Sequence, residues 1–253
     1  ESRITAFVGN FISSYKTDRP EQLYFVKAAL FGKPEISVNG TKIPDTEWKT
    51  KKVKGFFEYL LLGSGNTISK ELLAEIFWPG SDDKSSIASQ RTALYYLRKT
   101  LSKYDAEITE DNAFIYETPE GLQIRKNDAL ELDIHEFLRL YDQLSTEKEQ
   151  TEILERMIEL YKGDLMENSD YGDLVLNERE RFKSIFMEAC QKLGLIYMKR
   201  GKLQQSEEIL RRAMRAEPYN EDVCLELLKL YMSQGRRSKA VKLYYSFKKH
   251  LEQ

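Results

Sequence analysis

Two stretches of the chain, 34 residues apart, carry one pattern. "LGLIYMKRGKLQQSEEIL" (193–210) and "LLKLYMSQGRRSKAVKLY" (227–244) align Leu193 with Leu227, Tyr197 with Tyr231, Met198 with Met232 and Gly201 with Gly235. Ser206 then falls on Ala240, and Leu210 on Tyr244. A repeat of this length is one helical hairpin, with large residues early, Gly at the turn and a small residue where the helices cross. One such hairpin cannot bury its apolar face alone, so the pattern demands stacked neighbours around a continuous core. The last third of the chain is therefore expected to be all-α.

Period and pattern resemble the tetratricopeptide repeat, which also places Pro at the end, as Pro218 stands after Ala213. Cys190 and Cys224 lie 34 apart as well, and read as two buried thiols packing as small hydrophobes. Upstream, "DIHEFLRLYDQL" (133–144), which Asp133 can cap, and "EQTEILERMIELYKG" (149–163) form a more divergent pair. "ENSDYGD" breaks the pattern before the long helix "LVLNERERFKSIFMEACQKLGLIYMKR" (174–200). Six helices in three stacked pairs are expected.

From Tyr24 to about residue 130 the period is different. "YFVKAALFG" and "EISV" are short strand-like runs, and Asn39-Gly40 joins the second to "TKIP", a hairpin turn whose central residues need positive φ. Three helices should follow. The first is "EWKTKKVKGFFEYLLL" (47–62), apolar along Val53, Phe56, Phe57, Leu60 and Leu61. The second is "KELLAEIFW", capped by Ser69 and ended by Pro79. The third is "SSIASQRTALYYLRKTL" (85–101), capped by Ser81 or Asp82. "EIT" and "AFIYETPEGLQIRK" come next, and Thr118-Pro119-Glu120-Gly121 suits a type I turn closing a hairpin.

Three helices and a hairpin are the layout of a winged helix, and the third helix is the one such folds offer to the DNA major groove. The expected fold class is an α+β winged-helix domain (23–130) followed by an all-α tetratricopeptide-like helical repeat domain (131–253). Residues 1–22 place Ile4, Phe7, Val8, Phe11, Ile12 and Tyr15 on one stripe before the hinge "KTDRPEQ". They read as a helix and linker: the end of an upstream domain, an interdomain connection or a dimer contact.

Charge sets the terms for any nucleic-acid partner. With 39 basic and 41 acidic residues the net charge is −2, so affinity for DNA must come from local patches. On the third helix Ile87, Leu94, Leu97 and Leu101 repeat as a core stripe, which turns Ser85, Ala88, Ser89, Thr92, Tyr95, Tyr96 and Lys99 outward. Candidate base readers are Ser85, Ser89, Arg91, Thr92 and Tyr95. Small residues permit close approach, Arg91 suits a bidentate guanine contact and Thr92 a thymine methyl. Candidate phosphate contacts are Lys49, Lys51, Lys52, Lys70, Tyr96, Arg98, Lys99, Lys103, Arg125 and Lys126. Tyr95 and Tyr96 either donate hydroxyls to phosphate, or one of them completes the core. The run "KTKKVK" (49–54) reads equally as a solvated face or as a grip on the DNA backbone beside the helix amides.

Other function classes find little support. No Gly-rich phosphate loop, nucleophile context or metal-type spacing occurs, and His135 and His250 stand in separate helices. No enzyme activity, cofactor or metal is expected. No apolar run approaches the roughly 18 residues of a membrane span. Two cysteines make no disulfide framework, and no leader pattern opens the chain, so a cytoplasmic setting without membrane contact is expected.

In order along the chain, "LFGKPEISVNGTKI", "KTKKVKGFFEYLLL", "ISKELLAEIFWPG", "RTALYYLRKTL", "LYKGDL" and "NERERFKSIFMEACQKL" resemble the SARP-type bacterial transcriptional activators. These join an OmpR-type winged helix to a tetratricopeptide-like bacterial transcriptional activation domain, and the resemblance runs from about Ala29 onward. It implies a sequence-specific regulator, an activator, that binds double-stranded promoter DNA. The repeats would receive a signal, dimerise or contact RNA polymerase. One near-neutral winged helix buries little surface, so a homodimer on repeated half-sites is expected.

Two features depart from that pattern. Glu117 and Glu120 at the wing tip suit phosphate poorly, although Arg125 and Lys126 on the returning strand can compensate. "ESRITAFV" has no counterpart in the minimal architecture, and reads as the tail of a phosphoacceptor receiver domain, as in two-component response regulators. The competing reading is a tetratricopeptide-type protein-interaction scaffold whose winged helix does not bind DNA. The acidic wing and the net charge favour the scaffold; the basic face of the third helix favours DNA.

Overall fold

The computed structural model describes residues 25–104, 114–124, 130–144, 150–167, 169 and 171–251. The expected N-terminal helix and linker, the stretch "EIT", and Arg125 and Lys126 lie outside these.

Strand β1 (Val26–Ala29) is followed by β2 (Glu35–Val38) and β3 (Thr41–Lys42). Asn39 and Gly40 both take positive φ, 49° and 78°, and so pair Val38 with Thr41 and Ser37 with Lys42. Further on come β4 (Thr67–Ser69), β5 (Ile115–Glu117), β6 (Gly121–Ile124) and β7 (Leu130–Leu132). They form a four-stranded sheet of order β3-β2-β1-β7 and a three-stranded sheet of order β4-β6-β5. In the turn between β5 and β6, Thr118 and Gly121 exchange backbone hydrogen bonds of 2.8 and 3.3 Å.

Helix α1 (Lys51–Leu62) begins later than the expected Glu47. Pro44 leads instead into a short 3-10 turn at Asp45–Glu47, and Thr50, in extended geometry, accepts the Val53 N–H at 3.1 Å. Helix α2 (Lys70–Phe77) starts at Ser69, whose hydroxyl accepts the Leu72 N–H at 3.1 Å. Helix α3 (Asp83–Leu101) is capped by Asp82, which accepts from Ser85 N–H at 3.0 Å.

The buried seam of α3 differs from the expected stripe. Leu94, Leu97 and Leu101 are buried, but Ile87 is 40 % exposed. Ser86, Gln90 and Ala93 take the inner positions of the first turns instead. Both polar members are satisfied: Ser86 Oγ donates to Asp83 O at 2.9 Å, and Gln90 Nε2 to Lys70 O at 2.8 Å. The seam is polar there, so apolar spacing points to the wrong face.

The chain divides into two compact units: residues up to Lys27 with Ile36–Glu131, and Ala28–Glu35 with Leu132 onward. In the first, Phe56 of α1 meets Phe77 edge-on at 5.4 Å and Trp78 at 5.8 Å, and Phe57 meets Phe114 at 6.1 Å. These rings and the inner faces of α2, α3, β5 and β6 make its core.

The second unit consists of α4 (Asp133–Gln143), α5 (Gln150–Leu160), α6 (Gly172–Lys199), α7 (Leu203–Ala216), α8 (Glu221–Ser233) and α9 (Arg237–Leu251). Each packs on the next. Both turns of the 34-residue repeat close alike: Lys202 N–H reaches Tyr197 O and Arg236 N–H reaches Tyr231 O, each at 2.9 Å. Gly201 and Gly235 sit there at φ 72° and 71°. Ser206 and Ala240 are buried at the crossings, Ser206 donating to Gly194 O at 2.9 Å. The equivalence fails at its end, where Leu210 is buried but Tyr244 is 52 % exposed.

Residues 28–35 add a plug to this core. Phe31 touches Phe137, Tyr161 and Phe182 at 5.1, 5.0 and 5.2 Å. Asp133 is not a simple helix cap. It accepts the Ile134 N–H at 2.9 Å, but also that of Leu30 at 2.8 Å and that of Phe31 at 3.0 Å. Cys190 and Cys224 are free and buried, and burial pushes the Cys190 thiol up to about 12. Among the described residues no helix is long and apolar enough to cross a membrane.

Candidate nucleic-acid interface

The outer face of α3 is where the candidate residues gather. Ser85, Arg91, Thr92 and Tyr95 are exposed and Ser89 is half-buried. Their chemistry is not uniform. Ser85 spends its hydroxyl on the cap, donating to Asp82 at 2.7 Å, and that bond helps hold the Asp82 carboxyl below its ordinary range. Thr92 donates back to Ala88 O at 2.9 Å, which commits its hydroxyl within the helix and leaves the methyl for contact. Arg91 makes no hydrogen bond or ion pair with any described residue, so its guanidinium is open to a ligand.

Arg91 and Ile87 line a hollow with Lys70, Gln90, Leu94, Glu117 and Leu122. The helical spacing of Ile87 predicts a core position; the residue is instead an apolar group beside a free arginine on the presented face. The Ser69–Gly121 pairing of β4 with β6 sets the start of α2 beside the hairpin. Lys70 Nζ therefore lies 3.4 Å from the Glu117 carboxylate. Glu117 thus faces one of the candidate phosphate contacts directly.

The remaining cations fall into two groups. At the start of α1, Lys49 stands over the Tyr96 ring at 5.5 Å and Lys52 over Trp78 at 5.7 Å. Lys99 stands over Tyr95 at 6.0 Å. These cation–π contacts orient the lysines without neutralising them, and Lys51 beside them is exposed. The Trp78 platform has no periodic signal in the sequence. Two other candidates are engaged within the protein: Arg98 donates to Ile115 O at 3.2 Å, tying α3 to β5, and Lys103 pairs with Glu47. Among the described residues no cluster of His, Cys, Asp and Glu is arranged for a metal ion.

Residues 132–253 match the family described as Bacterial transcriptional activator domain. Among solved structures, Mycobacterium tuberculosis EmbR in complex with a low-affinity phosphopeptide superposes with a TM-score of 0.71 at 16 % identity. The match covers 90 % of this chain and 60 % of that one, a likeness of fold. No curated protein sequence matches the chain. With these activator-domain residues preceded by the three-helix and hairpin unit, the chain resembles the SARP-type bacterial transcriptional activators.

Proposed function

We propose that the first compact unit acts as an OmpR-type winged helix that reads promoter DNA through α3, while the tetratricopeptide-like helical unit, to which residues 28–35 belong, receives a signal, dimerises or contacts RNA polymerase. One observation carries the reading: the free guanidinium of Arg91 at the middle of an exposed helix face, beside Ile87 and the methyl of Thr92. An arginine so presented fits the O6 and N7 acceptors of guanine, and the two apolar groups fit a thymine methyl. Lys49, Lys51 and Lys52 at the start of α1 and Lys99 on α3 would hold phosphates. Arg98 and Lys103 would instead brace the interface from within. The scaffold reading draws support from the Lys70–Glu117 pair, which lowers the positive charge offered to a duplex.

Selection of bound genomic fragments at moderate salt, followed by sequencing, separates the two. Enrichment of a repeated motif by the intact chain is expected, with Arg91→Ala costing about 1–3 kcal/mol at the cognate site and relaxing one base position. Recovery of nothing above background would favour the scaffold. Unchanged affinity and preference in Arg91→Ala would remove that residue from the reading.

A further inference from the structure

Glu207 of α7 is held by an unusual number of donors. Its Oε1 accepts from Lys239 Nζ at 3.1 Å, Tyr231 Oη at 3.0 Å and Arg211 Nε at 3.2 Å. Its Oε2 accepts from Arg236 Nη1 at 2.6 Å. Partial burial works against the charged form, but the bonds from Lys239, Tyr231 and Arg236 outweigh it and keep the carboxyl at about 2. The same three cations lie over the ring of Tyr231: Arg211 at 5.9 Å, Arg236 at 5.7 Å and Lys239 at 5.6 Å. Tyr231 is buried, so this arrangement rests on a rigid floor.

A hollow of about 720 Å³ opens at the cluster, its wall completed by Gln204, Glu208, Arg215 and Gln234. Four cations in the lining face two carboxylates, leaving an excess of two positive charges. Donors are left over as well. Among the described residues the Arg211 guanidinium bonds only through Nε and that of Arg236 only through Nη1, while Arg215 makes no hydrogen bond.

We propose that this hollow binds an acidic segment of a partner protein, whose carboxylates meet the open edges of Arg211, Arg215 and Arg236. A guanidinium fork matches a planar carboxylate in two parallel bonds. Glu207 already demonstrates the mode, being a carboxylate gripped by the inner side of the same set. The space exceeds a single ion and suits several residues of chain. Gln204 and Gln234 supply neutral groups for a peptide backbone. Two surplus positive charges balance two singly charged carboxylates, and a hollow of this volume favours a segment of chain over a single phosphate of the same charge. The site is independent of DNA reading by α3.

Fluorescence anisotropy of the full chain with a labelled, end-blocked hexaglutamate peptide tests this, beside hexaglutamine, inorganic phosphate as competitor and a labelled duplex. Hexaglutamate is expected to bind with an affinity that falls as salt rises, and hexaglutamine not to bind. Arg215→Glu, at an exposed position without internal bonds, should weaken hexaglutamate binding at least about tenfold and leave the thermal midpoint unchanged. Absence of hexaglutamate binding at millimolar concentration would overturn the proposal, as would binding that Arg215→Glu leaves intact. Duplex binding abolished by Arg215→Glu, or displacement of hexaglutamate by equimolar inorganic phosphate, would reassign the hollow to phosphate and overturn it equally.

Discussion

At the scale of single residues, the contact that most affects the proposed interface is Lys70–Glu117. Both side chains are part-exposed, 34 % and 43 %, so the pair contributes at most about 1 kcal/mol to folding. Its larger consequence is the charge offered to a phosphate. Glu117→Gln frees Lys70, and duplex affinity should rise severalfold. The slope of log K against log salt should steepen by about one contact, with stability lowered by no more than about 1 kcal/mol. Salt titration in both proteins measures it, and an unaltered slope would place Lys70 away from the DNA backbone. The sequence marks Glu117 as a poor neighbour for phosphate but does not identify its partner. Lys70 and Glu117 stand 47 positions apart, and β4, whose pairing joins them, is only three residues long. Ile87 was hidden for a different reason. The α3 seam uses Ser86 and Gln90, whose burial depends on hydrogen bonds that a hydrophobic spacing does not encode.

At the scale of elements, what repeats locally is what the sequence reveals. The closing turns of the 34-residue repeat, the Asn39-Gly40 hairpin and the caps at Ser69 and Asp82 all follow from residues within a few positions of one another. The destination of residues 28–35 does not, because a short apolar run fits either core. Phe31 and Asp133 decide it, the ring by filling the helical core and the carboxylate by taking two distant N–H groups. Burial pushes the Asp133 carboxyl above its ordinary 3.8, although the N–H groups of Leu30, Phe31 and Ile134 pull the other way. With the native value raised, the contribution of this group is fully present below 3.8 and is lost as pH rises through the native value. Asp133→Ala orphans the Leu30 and Phe31 amides, which should cost about 2–4 kcal/mol near pH 4 and less at neutral pH. Urea midpoints of the two proteins across that range give the difference. A penalty that grew toward neutral pH would contradict the sign.

At the scale of the whole molecule, the order of a three-helix and hairpin unit before a helical stack is legible because each half carries its own period. How many copies act together is not written in any period, and electrostatics supplies the argument. A chain of net charge −2 has little long-range attraction for DNA, and among the described residues its candidate cations lie on or beside α3 and the starts of α1 and α2. Lys70, Arg98 and Lys103 among them are already engaged. A single copy should therefore hold a half-site weakly, while a second copy on an adjacent half-site adds its contacts at high effective concentration. For the same chain, a duplex with two half-sites one helical turn apart should bind about a hundredfold or more tightly than a duplex with one. Shifting the spacing by half a turn should abolish the gain. Mass measurement of the complex should find two chains on the paired site. Equal affinity for one and two half-sites, with one chain bound, would make the monomer the reading unit and leave the helical stack free for other partners.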